Sequence, residues 1–127
     1  MIEKDVILRQ VQQLAQALAA ILFNKKERRP DLAESHLIRA LREVFHRDLD
    51  QLRAMQRTEL IEMCSPGGVW SADLVLALAD LLREDDAPKS HERAGWLYEA
   101  ALESGDLVPM DIHQRIESLR KRRRQSP

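Results

Sequence analysis

Residues 77–82 (Ala-Leu-Ala-Asp-Leu-Leu) and 94–102 (Ala-Gly-Trp-Leu-Tyr-Glu-Ala-Ala-Leu) are separated by a polar loop. A similar pair of segments lies about sixty residues earlier, at 17–22 (Ala-Leu-Ala-Ala-Ile-Leu) and 33–41 (Ala-Glu-Ser-His-Leu-Ile-Arg-Ala-Leu). Each copy predicts two amphipathic helices with small residues where the helices cross, and such repetition is typical of stacked helical arrays. The alternative interpretation is chance similarity among Ala and Leu, which are strong helix formers.

The composition is that of a globular helical protein. The chain has 127 residues, enough for one domain with its own core, and 44% of them are hydrophobic. A charged fraction of 32% with only four glycines favours helices with charged outer faces. The net charge of -1 provides no overall field that would attract nucleic acid or a membrane.

Several features predict a cytoplasmic protein. Cys64 is the only cysteine, which excludes an internal disulfide. Glu3 and Asp5 stand where a signal peptide would carry cations. The longest apolar run, 17–23, is shorter than the ~20 residues of a membrane span, and we therefore expect no membrane association.

Apolar periodicity predicts an all-α fold of about six antiparallel helices, since no stretch alternates with the period of a strand. Asp31 is expected to cap the second helix, and Asp48 is expected to cap a third after a break near residue 47. The segment Ser65–Gly68 is the strongest helix breaker, and Gly105 is expected to end a helix in the left-handed conformation. We predict a single domain, 1–127, with helix pairs at 5–44 and 71–104, an inserted helix at 48–63, a C-terminal helix at 109–120 and a basic tail at 120–127.

The first helix has an unusually wide apolar surface. Its main stripe has the three- and four-residue steps of one helix face and contains Ile7, Val11, Leu14, Leu18, Ile21 and Leu22. Leu8 and Ala15 widen this stripe, so the helix is expected to lie between other helices. A helix of this kind also predicts a homodimer formed through the N-terminal helix.

The second copy, residues 74–102, resembles a tetratricopeptide repeat. Leu78 and Ala79 stand where that family has a Leu-Gly or Leu-Ala pair, and the second helix has the family's small and aromatic positions at Ala94, Tyr98 and Ala101. The resemblance implies paired helices that bind a protein segment. The chain departs from the family in its longer loop, in the missing closing proline and in a repeat spacing of about sixty residues.

A second resemblance concerns the N-terminal segment. Residues 5–9 (Asp-Val-Ile-Leu-Arg), leading to 18–22 (Leu-Ala-Ala-Ile-Leu), resemble the start of an uncharacterised bacterial family of helical proteins. This resemblance implies a helical fold for most of the chain. It implies no activity, because that family has no function assigned to it.

No motif predicts catalysis, a cofactor or a metal site. The histidines, at 36, 46, 91 and 113, lack the spacing of metal ligands. Cys64 is expected at the negative end of a helix, which disfavours a reactive thiolate. Gly67 and Gly68 lack the Gly-Lys-Ser/Thr that follows in a phosphate-binding loop. The acidic run 84–86 is interpreted as a solvated loop.

The candidate contacts with a partner are aromatic and basic. Trp96 cannot share a helix face with Tyr98, so it is expected to face a neighbouring helix, a groove or a partner, and Arg93 lies three residues before it in the sequence. Basic clusters occur at 25–29 and 120–124, and the second of them is either a solvated helix end or a phosphate-binding surface. The candidate partner-binding residues are Trp96, Arg93, Arg122, Arg123 and Arg124.

We therefore predict a non-catalytic helical module that binds a protein segment or assembles with itself. No small-molecule substrate is predicted. The alternative function is a nucleic-acid-binding adaptor that uses the two arginine-rich clusters as phosphate contacts.

Overall fold

The computed structural model describes residues 4–125, with side chains through residue 122. Within that range it contains no strand, which confirms the predicted all-α fold. The described residues form seven α-helices and one 3₁₀ turn, Pro66–Gly68. The helices are α1 Lys4–Lys26, α2 Pro30–Phe45, α3 Leu49–Ala54, α4 Arg57–Met63, α5 Ala72–Arg83, α6 Pro88–Glu103 and α7 Ile112–Gln125.

Two antiparallel pairs organise the bundle. Helix α1 packs against α2, and α5 packs against α6, so each copy of the repeated pattern forms a helix pair. The pairs meet through their first helices, α1 and α5, while α3, α4 and α7 all pack on α6. The two pairs therefore pack side by side through α1 and α5, and α3, α4 and α7 complete the bundle around α6.

The core is centred on α5. Leu74, Leu78 and Leu81 are fully buried there, and Tyr98 of α6 is the largest fully buried side chain. Both second helices bury alanines at the crossings with their partners, as the repeated pattern predicts: Ala33 and Ala40 in α2, and Ala94 and Ala101 in α6. A small side chain at a crossing lets the two helix axes approach closely.

The helix ends follow from local residues. Helix α2 begins at Pro30 with Arg29 at its N-cap, so the prediction of Asp31 as the cap was wrong. Proline suits the first helical position because its φ is fixed near the helical value and its missing N–H has no partner there. Asp48 does cap α3, and its backbone N–H donates to Gln51 Oε1 at 2.8 Å.

The predicted inserted helix at 48–63 is divided into α3 and α4. Met55 and Gln56 adopt extended backbone angles between them, and the Gln56 N–H donates to Glu59 Oε1 at 3.2 Å to start α4. The break frees the Met55 carbonyl, which accepts a hydrogen bond from Arg93 Nε at 3.1 Å. The division therefore gives α6 an anchor on the preceding segment.

The C-terminal helix differs from the predicted 109–120. It begins at Ile112 and continues to Gln125, so most of the predicted basic tail is helical. Arginine and lysine are good helix formers, and the ion pairs Asp111–Arg115 and Glu117–Arg120 lie along the helix surface. Gly105, with φ of 79°, ends α6 in the predicted left-handed conformation before the loop to α7.

Candidate interaction surfaces

Arg93 and Trp96 lie together on α6, and Arg93 is almost fully buried. Its guanidinium stacks 4.7 Å from the centre of the Trp96 ring. The same guanidinium donates to the carbonyls of Met55 and Lys89, each at 3.1 Å. Arg93 therefore has a structural role in fixing α6 to the end of α3, and Trp96 is held by it in a half-buried position.

Trp96 faces a small cleft between α6 and α7 of about 190 Å³, which also receives His91 and Arg120. Clefts that hold drug-sized ligands are larger, about 300–1,000 Å³. His91 is buried, and its Nε2 has no hydrogen-bond partner among the described residues. The cleft is therefore large enough for water or for the end of a side chain, and Trp96 lines one side of it.

The two basic clusters converge on one buried carboxylate, Glu84, at the end of α5. Lys25 Nζ lies 3.3 Å from Glu84 Oε1 and also donates to the Glu84 backbone carbonyl. Arg122 lies 3.6 Å from Glu84 Oε2 and donates to the carbonyl of Arg83. The acidic run is thus an ion-pair centre, and its interpretation as a solvated loop was wrong for Glu84.

Asp85, the next residue, is also engaged. Arg53 of α3 donates to its carboxylate at 2.8 Å, and the Ser90 hydroxyl donates to the same oxygen. Only Asp86 in the acidic run is exposed. Sequence reasoning missed these contacts because their partners lie tens of residues away, although an acidic run directly after the most apolar helix was a signal for buried ion pairs.

The predicted partner-binding arginines occupy different surroundings. Arg93 lies beneath Trp96, and Arg122 contacts the end of α5. The side chains of Arg123 and Arg124 lie outside the described residues. The structure therefore places Arg93 with Trp96 and places Arg122 with Glu84.

Groups capable of acid, base or nucleophilic chemistry are dispersed. Among residues 4–122 no three His, Cys, Asp or Glu side chains form a cluster that could hold a metal ion. Cys64 is fully buried, and burial raises the pKa of its thiol to about 12. At neutral pH this thiol is protonated and shielded from reagents.

The outward face of α1 leaves several apolar side chains open to solvent. Its exposed members are Leu8, Ala15, Ala19, Leu22 and Phe23, with half-buried Val11 and Leu18 along one edge. Leu8, Leu22 and Phe23 are 56%, 46% and 58% exposed. The apolar pattern of α1 predicts that neighbouring helices cover Leu8 and Ala15. Both side chains are instead exposed and face away from α2 and α5.

A shallow apolar groove extends this face toward α5. Val11 and Leu18 of α1 form one wall, and Leu76 and Ala77 of α5 form the other. Asp80 and Arg115 are also at the groove, and they pair with each other at 3.0 Å. The open apolar surface therefore covers parts of two helices.

By length and composition alone, α1 is also able to cross a membrane. The mean hydropathy of its most apolar 18-residue window is 1.3, and only 11% of that window is buried in the protein. Core helices and N-terminal signal sequences have the same property, so hydropathy does not distinguish a membrane from a protein as the neighbour of this face.

Comparison with known proteins adds no family to this description. No family model matches the chain, and no curated protein or solved structure matches it significantly.

Proposed function

We propose that this chain is a non-catalytic helical module that makes protein–protein contacts through the outward face of α1. One observation carries the proposal: three large apolar side chains on this face, Leu8, Leu22 and Phe23, are about half exposed. Single exposed apolar residues are ordinary, but a continuous exposed patch is typical of an interaction site.

The energetics favour a partner for this face. Burying apolar surface contributes about 25 cal/mol per Å², and a large aliphatic side chain contributes about 1.5–3 kcal/mol when fully buried. Leu8 and Leu22 lie on opposite sides of Ala15, so one helix laid across the face would cover both. A partner helix would thus gain several apolar contacts for one docking event.

The state of the reactive groups supports the non-catalytic part of the proposal. Asp80 is paired with Arg115 and Tyr98, and Glu84 is paired with Lys25. Cys64 is buried with a raised pKa. Catalysis requires such groups to converge on an accessible position, whereas here they stabilise contacts between helices.

Site-specific photo-crosslinking in the native cell tests the proposal. A photoreactive phenylalanine analogue replaces Leu22 in the full-length chain, and adducts are identified by mass spectrometry. We expect a discrete protein adduct at this position. The adduct should disappear when Leu8 is changed to Glu, because partner binding would then bury an unpaired carboxylate in an apolar interface. The matched control places the same analogue at Leu107, which is 97% exposed in a loop outside α1.

The result at these positions decides the proposal. Adducts at Leu22 but not at Leu107 support a protein contact through this face. An absence of protein adducts at Leu22, or adducts only with lipid, would overturn it. Circular dichroism of each variant shows whether the helices are intact.

The convergence of the basic clusters supports a second candidate function, nucleic-acid binding. Lys26, Arg28 and Arg29 are exposed near the end of α7, because Lys25 and Arg122 meet at Glu84. Phosphate contacts of this kind weaken steeply with salt. Changing Lys26, Arg28 and Arg29 to Ala should then lower the affinity for RNA or DNA. The same change should also make that affinity less dependent on salt. Binding that does not depend on salt would exclude this function.

A further inference from the structure

The outward face of α1 has small side chains near Ala15 and a large leucine on either side of it. Leucines lie seven residues to either side, and the remaining positions also pair across the same centre. The related positions are Leu8 with Leu22, Val11 with Ala19, and Gln12 with Leu18. We infer that this face binds the same face of a second copy of the chain, with the two α1 helices antiparallel and the two Ala15 residues facing each other at a two-fold axis.

A two-fold contact pairs each position on one side of the axis with a complementary position on the other side. In such an interface one residue of the first copy meets a second residue of the other copy, and the reverse contact is identical. With Ala15 on the axis, Leu8 of each copy meets Leu22 of the other. Residues seven apart, with intermediate positions three or four away, lie on one seam of a helix pair.

The sizes of the side chains favour another helix as the occupant. Ala15 and Ala19 place small side chains at the middle of the face, and Leu8 and Leu22 place large ones toward its ends. Small residues at the centre let two helix axes approach closely, so that the flanking leucines can interlock. A helix face that enters a lipid surface is typically rich in Trp, Phe and Leu, rather than in alanine.

The charges of α1 favour the antiparallel direction. Its C-terminal end and the following turn carry Lys25, Lys26, Arg28 and Arg29, whereas Lys4 and Asp5 at the N-terminal end offset each other. A parallel pair would bring the two basic ends together. An antiparallel pair separates them by about 30 Å, the length of twenty helical residues, which exceeds a Debye length of about 8 Å at physiological salt.

The helix dipoles also favour the antiparallel arrangement. In an antiparallel pair, the positive N-terminal end of each helix lies beside the negative C-terminal end of the other. The apolar groove formed with Leu76 and Ala77 lies along the edge of the seam, so both copies have further apolar surface to bury there. Charge and side-chain size therefore favour the same arrangement.

Disulfide cross-linking of the full-length chain tests this arrangement. A disulfide requires Cβ atoms about 3.5–4.5 Å apart, so it forms only between positions that face each other. We expect Ala15→Cys to cross-link with itself under mild oxidation. Leu8→Cys and Leu22→Cys should each stay unlinked alone, and the two variants should cross-link when mixed. Cys64 is buried and does not compete.

The matched control is Thr58→Cys, which places an exposed thiol on α4 away from this face. It should give several-fold less cross-linked dimer than Ala15→Cys. Ala15→Ser has a side chain close in size to cysteine but no thiol. Sedimentation of this variant should show a dimer that forms without any cross-link. Circular dichroism confirms that the cysteine variants keep their helices.

The inference rests on the proposed function, but the two fail in different ways. Cross-linking of Leu8→Cys with itself would indicate a parallel pair and overturn the inferred arrangement while leaving a protein contact intact. A photo-adduct at Leu22 with a different protein would likewise support the proposed function and overturn the second copy as the partner. A chain that is monomeric at all concentrations and gives no photo-adduct would overturn both.

Discussion

The Tyr98 hydroxyl donates a hydrogen bond to the Asp80 carboxylate, joining α6 to α5 inside the bundle. A guanidinium nitrogen of Arg115 lies 3.0 Å from both oxygens of the same carboxylate. One side chain of α5 thereby connects α6 and α7. The connection borders the groove beside α1, so the partly buried Asp80 carboxylate holds together the helices that support the proposed contact surface.

Changing Tyr98 to Phe should reduce the free energy of unfolding by about 1–2 kcal/mol. The variant keeps the buried ring and loses one hydrogen bond to a charged group, while Arg115 still satisfies Asp80. Asp80→Ala should cost more, because it leaves both the buried hydroxyl and the guanidinium without this partner. Urea denaturation measures both values, and equal stabilities for the two variants would contradict this account.

The same hydroxyl predicts a loss of stability at alkaline pH. Burial raises the pKa of Tyr98 above its ordinary value of 10, and the Asp80 charge raises it further. Above pH 10 the unfolded state therefore releases the proton while the folded state keeps it, and stability falls as pH rises. Tyr98→Phe should flatten the stability profile above pH 10. An unchanged slope would show that other groups cause the alkaline loss.

Glu84 should be required for stability through its charge. Changing it to Leu leaves Lys25 and Arg122 beside a position without an anion. Breaking a buried pair costs about 3–5 kcal/mol, and because Lys25 is one-third exposed, solvent offsets part of this, so we expect about 2–3 kcal/mol. Thermal and urea unfolding measure the loss.

The control for Glu84 is an exposed ion pair. Glu103 and Arg57 lie 3.0 Å apart with side chains that are 69% and 40% exposed. Glu103→Gln should change the free energy of unfolding by less than about 1 kcal/mol. A comparable effect at both sites would show that the burial of Glu84 has no special energetic role.

Much of the helical organisation was predictable from short-range patterns. The alanines at the crossings, the inward Tyr98, the cap at Asp48 and the left-handed Gly105 all depend on neighbours within a few residues. The break at Met55 was missed because the apolar period continues through it and it contains no Gly or Pro. Its only local signal is the pairing of Gln56 with Glu59, which is weak by itself.

The surfaces were less predictable, for a physical reason. Whether Leu8 is covered depends on where α2 and α5 pack around α1, and the apolar period alone does not determine which helices do so. The approach of Lys25 to Glu84 joins residues 59 positions apart and follows only from the packed arrangement of the two helix pairs. Local patterns therefore identified most of the helices but could not determine which apolar face remains open.

Cys64 should react with thiol reagents only when the protein opens. The side chain is fully buried and its pKa is raised to about 12 by burial, so the reactive thiolate is scarce below that pH. At pH 8 we expect reaction with a disulfide reagent to be slow and to accelerate across the urea unfolding transition. The Thr58→Cys variant provides a fast-reacting exposed thiol for comparison, and rapid labelling of native Cys64 would contradict the observed burial.

His91 should reduce stability as the solution becomes mildly acidic. Burial lowers its pKa below 6.5 and the Arg122 charge lowers it further, against the opposing influence of Asp85 and Asp86. Between 6.5 and the lowered value the unfolded state binds a proton that the folded state does not, so stability is greatest above pH 6.5 and falls as pH falls through this range. His91→Gln should flatten the profile there, as measured by urea unfolding at several pH values. The same substitution at exposed His113 is the control, and an equal effect at both positions would exclude His91 as the cause.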